Sequence, residues 1–328
     1  MGTTIPRRLR HRTKQMNVIA DNIIFSLQRY GGISVVWNEL LQRARADQDL
    51  VLTELDYRTN RKPRFMERYR VPDFNASTPS IFHSSYFRIL PQPGVANVTT
   101  VHDLTYHYYR RGLAKAVHLW EEERALRYSE AVICISENTR RDLLLFYPWL
   151  NPDKVTVVYN GVGETFRPLP EVPKKGYLLF IGNSTVPYKR FDVAQEVARL
   201  TGLELVTAAN VSLEQLNTLY NEALCLLYPS DYEGFGLPIL EAQKAGCPVI
   251  AQNHSSIPEV IGPQGLMVAH DTPQRMAAEM ADLVRQLLSG PTQEIIAAGY
   301  SNARRFSWDK TYEQTKQVYE NIYHNHHL

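Results

Sequence analysis

The stretch that decides the fold is 228–249, which reads YPSDYEGFGLPILEAQKAGCPV. It follows a short apolar run at 223–228, which predicts a buried parallel strand. Gly234 and Gly236 then allow the backbone to turn and to approach a ligand closely. Pro238 suits the first turn of a helix, whose buried face would carry three apolar residues: Leu237, Leu240 and Ala245. The stretch therefore predicts a strand, a tight loop and a helix.

Two carboxylates accompany these glycines. Glu233 falls in the predicted loop and Glu241 near the start of the predicted helix, with seven residues between them. Loop and helix-start N–H groups bind phosphate, and carboxylates accept hydrogen bonds from neighbouring hydroxyls. The arrangement favours an anionic ligand rich in hydroxyl groups. The alternative is an ordinary strand–loop–helix joint with solvated acids.

Length and composition bound the rest of the chain. It has 328 residues, 44% of them hydrophobic, which predicts two domains of about 150 residues each. A net charge of +2 argues against a dedicated nucleic-acid binder. No apolar run is long enough to span a bilayer, and 1–15 is basic without the apolar core of a secretory signal. The chain has three cysteines, far apart and each in or beside an apolar run: Cys134, Cys225 and Cys247. This pattern predicts buried free thiols in a reducing compartment.

Strand-like and helix-like segments alternate along the chain. The predicted strands are 17–20, 51–55, 80–83, 97–102, 131–135, 154–159, 177–181, 203–207, 225–228, 248–251 and 265–268. The predicted helices are 33–46, 112–127, 137–146, 192–200, 213–223, 237–245, 272–289 and 308–323. This alternation predicts an α/β protein with parallel, doubly wound sheets. Prolines at 168, 170 and 173 indicate a linker, so we predict a disordered arm at 1–15, domains at 16–168 and 176–307, a linker at 169–175 and a terminal helix within 308–328.

Glu-Gly-Phe-Gly-Leu-Pro at 233–238, followed by Ala-Gly-Cys-Pro-Val-Ile at 245–250, resembles the donor-site signature of retaining glycosyltransferases of the GT-B fold, family 4 (group 1). The resemblance implies two Rossmann-like domains facing across a cleft, an N-terminal acceptor domain and a C-terminal nucleotide-sugar donor domain. It implies that the last helix crosses back to the first domain. It further implies that Glu241 holds the ribose hydroxyls of the donor and that Glu233 contacts the transferred sugar.

A leaving diphosphate requires a metal ion or fixed cations. The pair Asp47 and Asp49 is typical of a surface turn, and no metal spacing occurs elsewhere, so we expect metal-independent chemistry without a cofactor. Lys189, in GNSTVPYKR at 182–190, resembles the family's phosphate-binding lysine. The family commonly has an arginine directly after the glycine, where this chain has Asn183. Arg190 is a candidate for the second cation; the alternative is that Lys189 acts alone.

Candidate residues in the first domain come from two further segments. Tyr30-Gly31-Gly32-Ile33 precedes a predicted helix, and glycines at a helix start open N–H groups to phosphate or sugar. His102 and Asp103 follow a predicted strand, at the end where open α/β sheets bind ligands. The alternative for His102 is a buried core histidine without a role in binding. The alternative for the aromatic residues that follow is packing within a surface loop.

Taken with the resemblance, these segments give the following site. The catalytic residues are His102, Glu233 and Lys189; the donor-binding residues are Gly31, Gly32, Gly182, Asn183, Lys189, Arg190, Glu233, Gly234, Phe235, Gly236, Leu237 and Glu241; the acceptor residues are Asp103, Tyr106 and His107.

Six basic residues crowd the segment 58–70: Arg58, Arg61, Lys62, Arg64, Arg68 and Arg70. The default interpretation is a solvated loop. The sharper hypothesis is a surface for an anionic lipid-linked acceptor or for membrane headgroups.

The resemblance implies transfer of a mannose-like or glucose-like hexose, with retention, from a GDP- or UDP-sugar to a hydroxyl of a glycan or lipid-linked acceptor. We expect this in the cytoplasm, with the inner membrane face as a further hypothesis, in bacterial envelope polysaccharide synthesis. The alternatives are a non-catalytic nucleotide-sugar-binding partner and a nucleotide-sugar epimerase. A nicotinamide-dependent oxidoreductase would need Gly-x-Gly-x-x-Gly after an early strand, where this chain has only Gly31-Gly32.

Overall fold

The computed structural model describes residues 15–28, 31–57, 63–76, 79–209, 211–270 and 272–326. Parts of three predictions lie outside these ranges. They are the arm before Gln15, Tyr30 beside the two glycines, and three members of the basic segment: Arg58, Arg61 and Lys62.

The first half of the chain forms a six-stranded parallel sheet in the order β2-β1-β3-β4-β5-β6. Its strands are β1 (Met16–Asp21), β2 (Leu50–Leu55), β3 (Ser80–Ser84), β4 (Val95–Val101), β5 (Ser129–Cys134) and β6 (Val155–Val157). Its helices are α1 (Ile24–Leu27), α2 (Gly32–Ala46), α3 (Thr105–Tyr109), α4 (Gly112–Tyr128) and α5 (Glu137–Phe146).

The second half forms a five-stranded parallel sheet in the order β11-β10-β9-β7-β8. Its strands are β7 (Leu178–Ile181), β8 (Leu205–Ala208), β9 (Cys225–Tyr228), β10 (Val249–Gln252) and β11 (Leu266–Val268). Its helices are α6 (Phe191–Thr201), α7 (Leu213–Glu222), α8 (Leu237–Lys244), α9 (Ile257–Ile261), α10 (Pro273–Ser289) and α11 (Gln293–Ala303). The prediction of two parallel α/β units is confirmed.

The second sheet is covered on both faces, which explains why its strands are apolar throughout. Every residue of β9 and β10 is buried. Leu226 of β9 packs among side chains that include those of α8 and α9, and its neighbour Leu227 packs against α10 on the opposite face. A parallel strand with helices on both faces has no solvent side, so the alternation of polar and apolar residues is lost.

Each sheet has one point where the strand order reverses, because the second strand of each half pairs on one side of the first and the third strand pairs on the other. This point lies between β1 and β3 in the first sheet and between β7 and β9 in the second. Loops that leave the carboxyl ends of such strands diverge, and the crevice between them is where open α/β sheets bind ligands. Gly31 and Gly32 lie after β1, Lys189 lies after β7, and Glu233 lies after β9.

The last helix, α12 (Trp308–His326), returns to the first sheet. Tyr312, Val318, Tyr319 and Ile322 pack in one apolar cluster with side chains of the first sheet. Ion pairs from this helix reach the loop before β2: Lys316 Nζ lies 2.8 Å from Asp47 Oδ2 and 2.7 Å from Asp49 Oδ2. The Asp-x-Asp pair therefore binds a lysine.

Several helices were not predicted from the sequence. The short α1, α3 and α9 have four or five residues each, too few to display a helical period. The longer α11 was missed although it has eleven residues. It packs closely on α8, where a Cβ at Gly299 would lie only 3.2 Å from Gln243. Small residues such as Gly and Ser permit that approach, and they weaken the apolar pattern by which a helix is recognised.

Candidate functional site

The loop after β9 is held against the first domain at Gly234. A Cβ placed on Gly234 would lie 1.9 Å from the backbone oxygen of His102, so only glycine fits. The hydroxyls of Ser136 and Thr139, at the start of α5, donate to the Gly234 carbonyl at 2.7 and 3.2 Å. The loop that carries Glu233 is thus positioned by both domains.

The neighbouring Tyr232 extends this contact into the first domain. Its ring is buried among apolar side chains of that domain. Its hydroxyl donates to Asp142 Oδ2 at 2.8 Å and accepts from the Leu104 N–H at 3.3 Å. On the same interface Glu259 accepts from the first two backbone N–H groups of α5, those of Glu137 and Asn138, at 2.9 and 3.0 Å. This carboxylate caps a helix of the other domain.

Between the domains lies a cleft of about 1340 Å³. Six of the predicted donor-binding residues line it: Gly31, Gly32, Gly182, Asn183, Leu237 and Glu241. They come from the two reversal points of strand order, one in each sheet, so the cleft is formed where α/β sheets bind ligands. Glu241 is the only acidic or basic side chain among the described residues that line it.

Two helices begin at this cleft. Gly32, the first residue of α2, lines it from the first domain, and Leu237, the first residue of α8, lines it from the second. Gly236 precedes α8 with φ of +105°, a conformation that favours glycine, and Pro238 occupies the first turn. Unpaired N–H groups and the helix dipole make both ends attractive to an anion.

Glu241 lies on α8 with one carboxylate oxygen already occupied. The buried Tyr220 hydroxyl donates to its Oε2 at 2.9 Å. Burial raises the pKa of Glu241 to about 7, and the hydrogen bond from Tyr220 counteracts part of that rise. The other oxygen, Oε1, has no hydrogen-bond partner among the described residues and is not buried, so it remains available to a ligand.

Lys189 and Glu233 form an ion pair, and neither belongs to the described residues that line the cleft. Lys189 ends a short 3₁₀ turn after β7, and its Nζ lies 2.6 Å from Glu233 Oε1. The exposed fractions of the two side chains are 21% and 11%. The Glu233 N–H donates to Ser255 Oγ at 2.9 Å, and the Glu233 carbonyl accepts from Ser256 Oγ, which fixes the backbone that carries the acid. The structure therefore brings these two predicted catalytic residues together.

Arg190 is directed away from this pair. Its guanidinium lies 3.3 Å from Asp231 Oδ2 and 3.2 Å from Asp192 Oδ2, and these acids raise its pKa. Asn183, at the position of the family's arginine, accepts from the Thr185 N–H at 2.9 Å and so stabilises its own turn. The role of Arg190 as a second phosphate cation stays a prediction, and its charge is already balanced by carboxylates.

The structure places the predicted site residues of the first domain in different surroundings. His102 lies beside Gly234 through its backbone, its ring makes no hydrogen bond among the described residues, and burial lowers its pKa to about 4. It is therefore a neutral imidazole at pH 7, beside the loop of Glu233. Asp103 accepts from the N–H of Thr105, which starts α3.

Tyr106 and His107 are engaged inside the first domain. The Tyr106 ring stacks on His118 with centroids 3.7 Å apart. His107 Nε2 lies 2.7 Å from Glu122 Oε2, and its side chain is only 7% exposed. Their roles in acceptor binding stay predictions, and packing accounts for His107 without an acceptor.

The basic segment is less available than its sequence indicates. Arg64 Nε lies 2.6 Å from Glu67, and Arg68 Nη2 lies 2.7 Å from the fully buried Glu121. Glu67 in turn pairs with Arg88, which is itself buried. Of the three described members, only Arg70 forms no ion pair with another described residue. Two of the charges on which the hypothesis of a broad anion-binding surface depends are therefore already paired with carboxylates. Arg64 and Arg68 anchor the segment to the domain.

Within the described ranges, no group of three or more His, Cys, Asp or Glu side chains is arranged to hold a metal ion. In the same part of the chain, no helix combines the length and apolar character that a membrane crossing requires.

Four residues around the site were not predicted from the sequence: Tyr220, Tyr232, Ser255 and Glu259. Tyr220 offered a weak signal, since a tyrosine in the buried face of a helix needs a partner for its hydroxyl. Ser255 has φ of +51°, which no pattern of residue types reveals. Tyr232 lies directly before Glu233, but an aromatic residue in a loop does not indicate which domain buries it.

Two family models match adjoining parts of the chain. One, described as Glycosyltransferase Family 4, covers residues 63–165, and the other, described as Glycosyl transferases group 1, covers residues 157–286. Together they extend over residues 63–286, which include parts of both domains.

Known proteins agree with these models. The chain is 42% identical over 108 residues to O-antigen chain mannosyltransferase B of Escherichia coli, a match that covers 33% of this chain and 28% of that protein. It is 28% identical over 285 residues to alpha-maltose-1-phosphate synthase of Mycolicibacterium smegmatis, covering 70% of this chain and 74% of that protein. The solved structure of sucrose-phosphate synthase from Thermosynechococcus elongatus superimposes with a TM-score of 0.70 at 15% identity, covering 95% of this chain and 100% of that one. The chain belongs to glycosyltransferase family 4, the group 1 glycosyltransferases, and has the GT-B fold.

Proposed function

We propose that this protein transfers a hexose from a nucleoside diphosphate sugar to a hydroxyl group of a glycan or lipid-linked acceptor. One observation carries the proposal: the cleft joins the reversal points of both sheets, and Glu241 is the only acidic or basic side chain among its described lining residues. A cleft of about 1340 Å³ has room for a nucleotide sugar. Glu241 would accept hydrogen bonds from the ribose hydroxyls through Oε1.

The diphosphate would bind at the helix starts. Residues 182–184 after β7 and the first residues of α8 line the same region of the cleft. Helix N-termini supply N–H groups and a partial positive charge, and Lys189 follows the 182–184 loop within one short turn. In this arrangement no metal ion is needed to bind the leaving diphosphate, because Lys189 and the helix N–H groups supply the positive charge.

The Lys189–Glu233 pair couples the two ends of the donor. Lys189 would move between Glu233 and the phosphate oxygens, since a lysine on a flexible stem is a mobile point charge. Glu233, released from part of this pairing, would accept a hydrogen bond from a hydroxyl of the transferred sugar. We further propose retention of the anomeric configuration, with the leaving phosphate taking the acceptor proton through an oxocarbenium-like transition state.

The acceptor is proposed from the relatives. Because the E. coli relative bears the name of an O-antigen chain mannosyltransferase, we propose a growing envelope polysaccharide as acceptor and a mannose-like or glucose-like sugar as the transferred group. The match to that protein covers 28% of its length. The proposed identity of the acceptor therefore rests on this likeness and on the open cleft alone.

The test is a thermal-shift panel of GDP-, UDP- and ADP-sugars, followed by a transfer assay with the stabilising donor. We expect one base to raise the unfolding temperature and the product to retain the donor's anomeric configuration by NMR. An inverted product would refute retention. Binding of a donor without transfer to any acceptor would instead favour a non-catalytic nucleotide-sugar-binding partner. No stabilisation by any nucleotide would refute the proposed function.

A further inference from the structure

Tyr220 is buried in α7 and is not in contact with solvent, yet its hydroxyl reaches the one carboxylate among the described residues that line the cleft. Its ring meets Phe166 edge-on, with centroids 6.0 Å apart. Helix α7 packs against α8, and the 2.9 Å hydrogen bond joins the two helices. A hydrogen bond in a buried setting is strong and directional.

We propose that Tyr220 is a positioning residue for Glu241: its hydroxyl holds Oε2 so that Oε1 faces the cleft, and its hydrogen bond favours the ionised carboxylate, the form that accepts from the ribose hydroxyls of a nucleotide. This inference rests on the proposed function and adds to it a pH dependence and a second residue of the ribose site.

The surroundings of Glu241 explain why a single hydroxyl has this influence. Helix α8 packs against α7, α9, α11, β9 and β10. The titratable groups on these elements are Glu214, Tyr220 and Glu222 on α7, Tyr228 and Cys225 on β9, Glu259 on α9, Tyr300 and Glu294 on α11, with Cys247 in the loop after α8. Of the two phenols nearby, Tyr220 donates to this carboxylate, whereas Tyr228 interacts more strongly with Glu233 than with Glu241.

The other charged groups are directed elsewhere. Glu259 binds the N–H groups of α5, and Lys244 of α8 itself lies 2.6 Å from Glu164. Glu214 and Glu294 are exposed, and Glu222 lies 2.7 Å from Lys175. No lysine or arginine on the described elements that pack against α8 faces Glu241. The hydrogen bond from Tyr220 is then what opposes the effect of burial, which raises the pKa of Glu241 to about 7.

The experiment compares three proteins: wild type, Tyr220→Phe and the control Tyr177→Phe. Tyr177 also donates from a buried phenol to α7, to the Leu219 carbonyl at 3.0 Å, but it does not touch the cleft. The dissociation constants of UDP and GDP are measured by calorimetry from pH 5.5 to pH 9. The nucleotide phosphates titrate in the same way in all three experiments. Differences between the three binding profiles therefore arise from the protein.

In Tyr220→Phe the midpoint of the binding profile should move up by roughly half a unit to one unit, which is about a two- to fivefold weaker affinity at pH 7, close to the wild-type midpoint. At pH 9 the affinities should converge to within a few fold, because Glu241 is then ionised in every variant. Tyr177→Phe should keep the wild-type profile. A Tyr220→Phe profile that coincides with those of wild type and the control would overturn the inference.

Two outcomes separate this inference from the proposed function. If wild type binds neither UDP nor GDP at any pH, the proposed function fails and this inference with it. If wild type binds and Tyr220→Phe does not fold, wild type is titrated with 2′-deoxy-UDP or 2′-deoxy-GDP beside the parent nucleotide. The deoxy compound should lose most of the pH dependence between pH 6 and pH 8, and an unchanged dependence would overturn the role of Glu241.

Discussion

The contact at Gly234 yields the sharpest prediction, Gly234→Ala. The added methyl group would lie 1.9 Å from the His102 carbonyl oxygen, whereas ordinary contacts begin at 3.4 Å. The loop or the strand end must therefore separate by about 1.5 Å. Both sides of the contact are main chain, so no side chain can rotate to relieve it.

The expected cost follows from what that separation breaks. A movement of this size stretches the 2.7 and 3.2 Å hydrogen bonds that Ser136 and Thr139 donate to the Gly234 carbonyl. Each is worth about 1 kcal/mol, and the disturbed packing of Tyr232 brings the total to roughly 3 kcal/mol of destabilisation. Misplacement of a catalytic group by about 1 Å costs roughly 100-fold in rate, so displacement of the loop that carries Glu233 should lower the rate of transfer by about that factor.

Urea unfolding and hydrogen exchange of the 229–237 segment test this reasoning. The matched control is Gly163→Ala, whose methyl group would meet the Phe166 ring at an ordinary 4.0 Å. We expect faster exchange and a lower urea midpoint for Gly234→Ala alone. If both variants unfold at the same urea concentration and exchange alike, the close contact between the domains does not exist as described.

Three further outcomes are expected. Burial raises the pKa of Glu241 to about 7, so the folded state favours the protonated carboxyl group, and this contribution to stability is lost as the pH rises from about 4.5 through 7. The unfolding free energy of Glu241→Gln should therefore exceed that of wild type by up to about 3 kcal/mol at pH 8 but by little at pH 4.5. An equal difference at both pH values would contradict this. Lys189→Ala should reduce kcat about 100-fold or more while circular dichroism stays unchanged, because Glu233 and the leaving group lose their nearest cation; retention of more than a tenth of the activity would count against its role. Tyr232→Phe removes a hydroxyl with two partners, Asp142 among them, and should cost about 1–2 kcal/mol in urea unfolding with the Kd for nucleotide changed less than twofold.

The strand and helix pattern was largely predictable, because it depends on short-range chemistry. The apolar run at 225–228 is buried on both sides as β9, and Gly236 and Pro238 mark the start of α8 where the sequence places it. Helix starts and buried strands are encoded by neighbouring residues, through allowed backbone angles and the period of apolar side chains. Helix α11 was missed because its contact with α8 relies on small residues rather than on an apolar stripe.

The candidate site divides in a similar way. Sequence alone pointed to Gly31, Gly182 and Glu241, and these line one cleft. It could not anticipate that Arg190 pairs with Asp231 and Asp192, since carboxylates within reach of its side chain compete for it only in the folded chain. For the same reason, Arg64 and Arg68 looked like a free basic surface until Glu67 and Glu121 were placed beside them.

Residue order by itself determined the α/β class, the strand–loop–helix joint at 228–244 and the identity of the acids that the joint carries. Only the tertiary structure decided which partners those acids have. Lys189 and Glu233 are 44 positions apart in the chain, and Tyr220 and Glu241 are 21 apart, yet each pair is joined by one hydrogen bond. Backbone preferences act over a few residues, whereas distances between remote side chains are set by how the sheets twist, stack and meet. The ion pair, the tuned carboxylate and the glycine against His102 therefore arise from packing of the two domains.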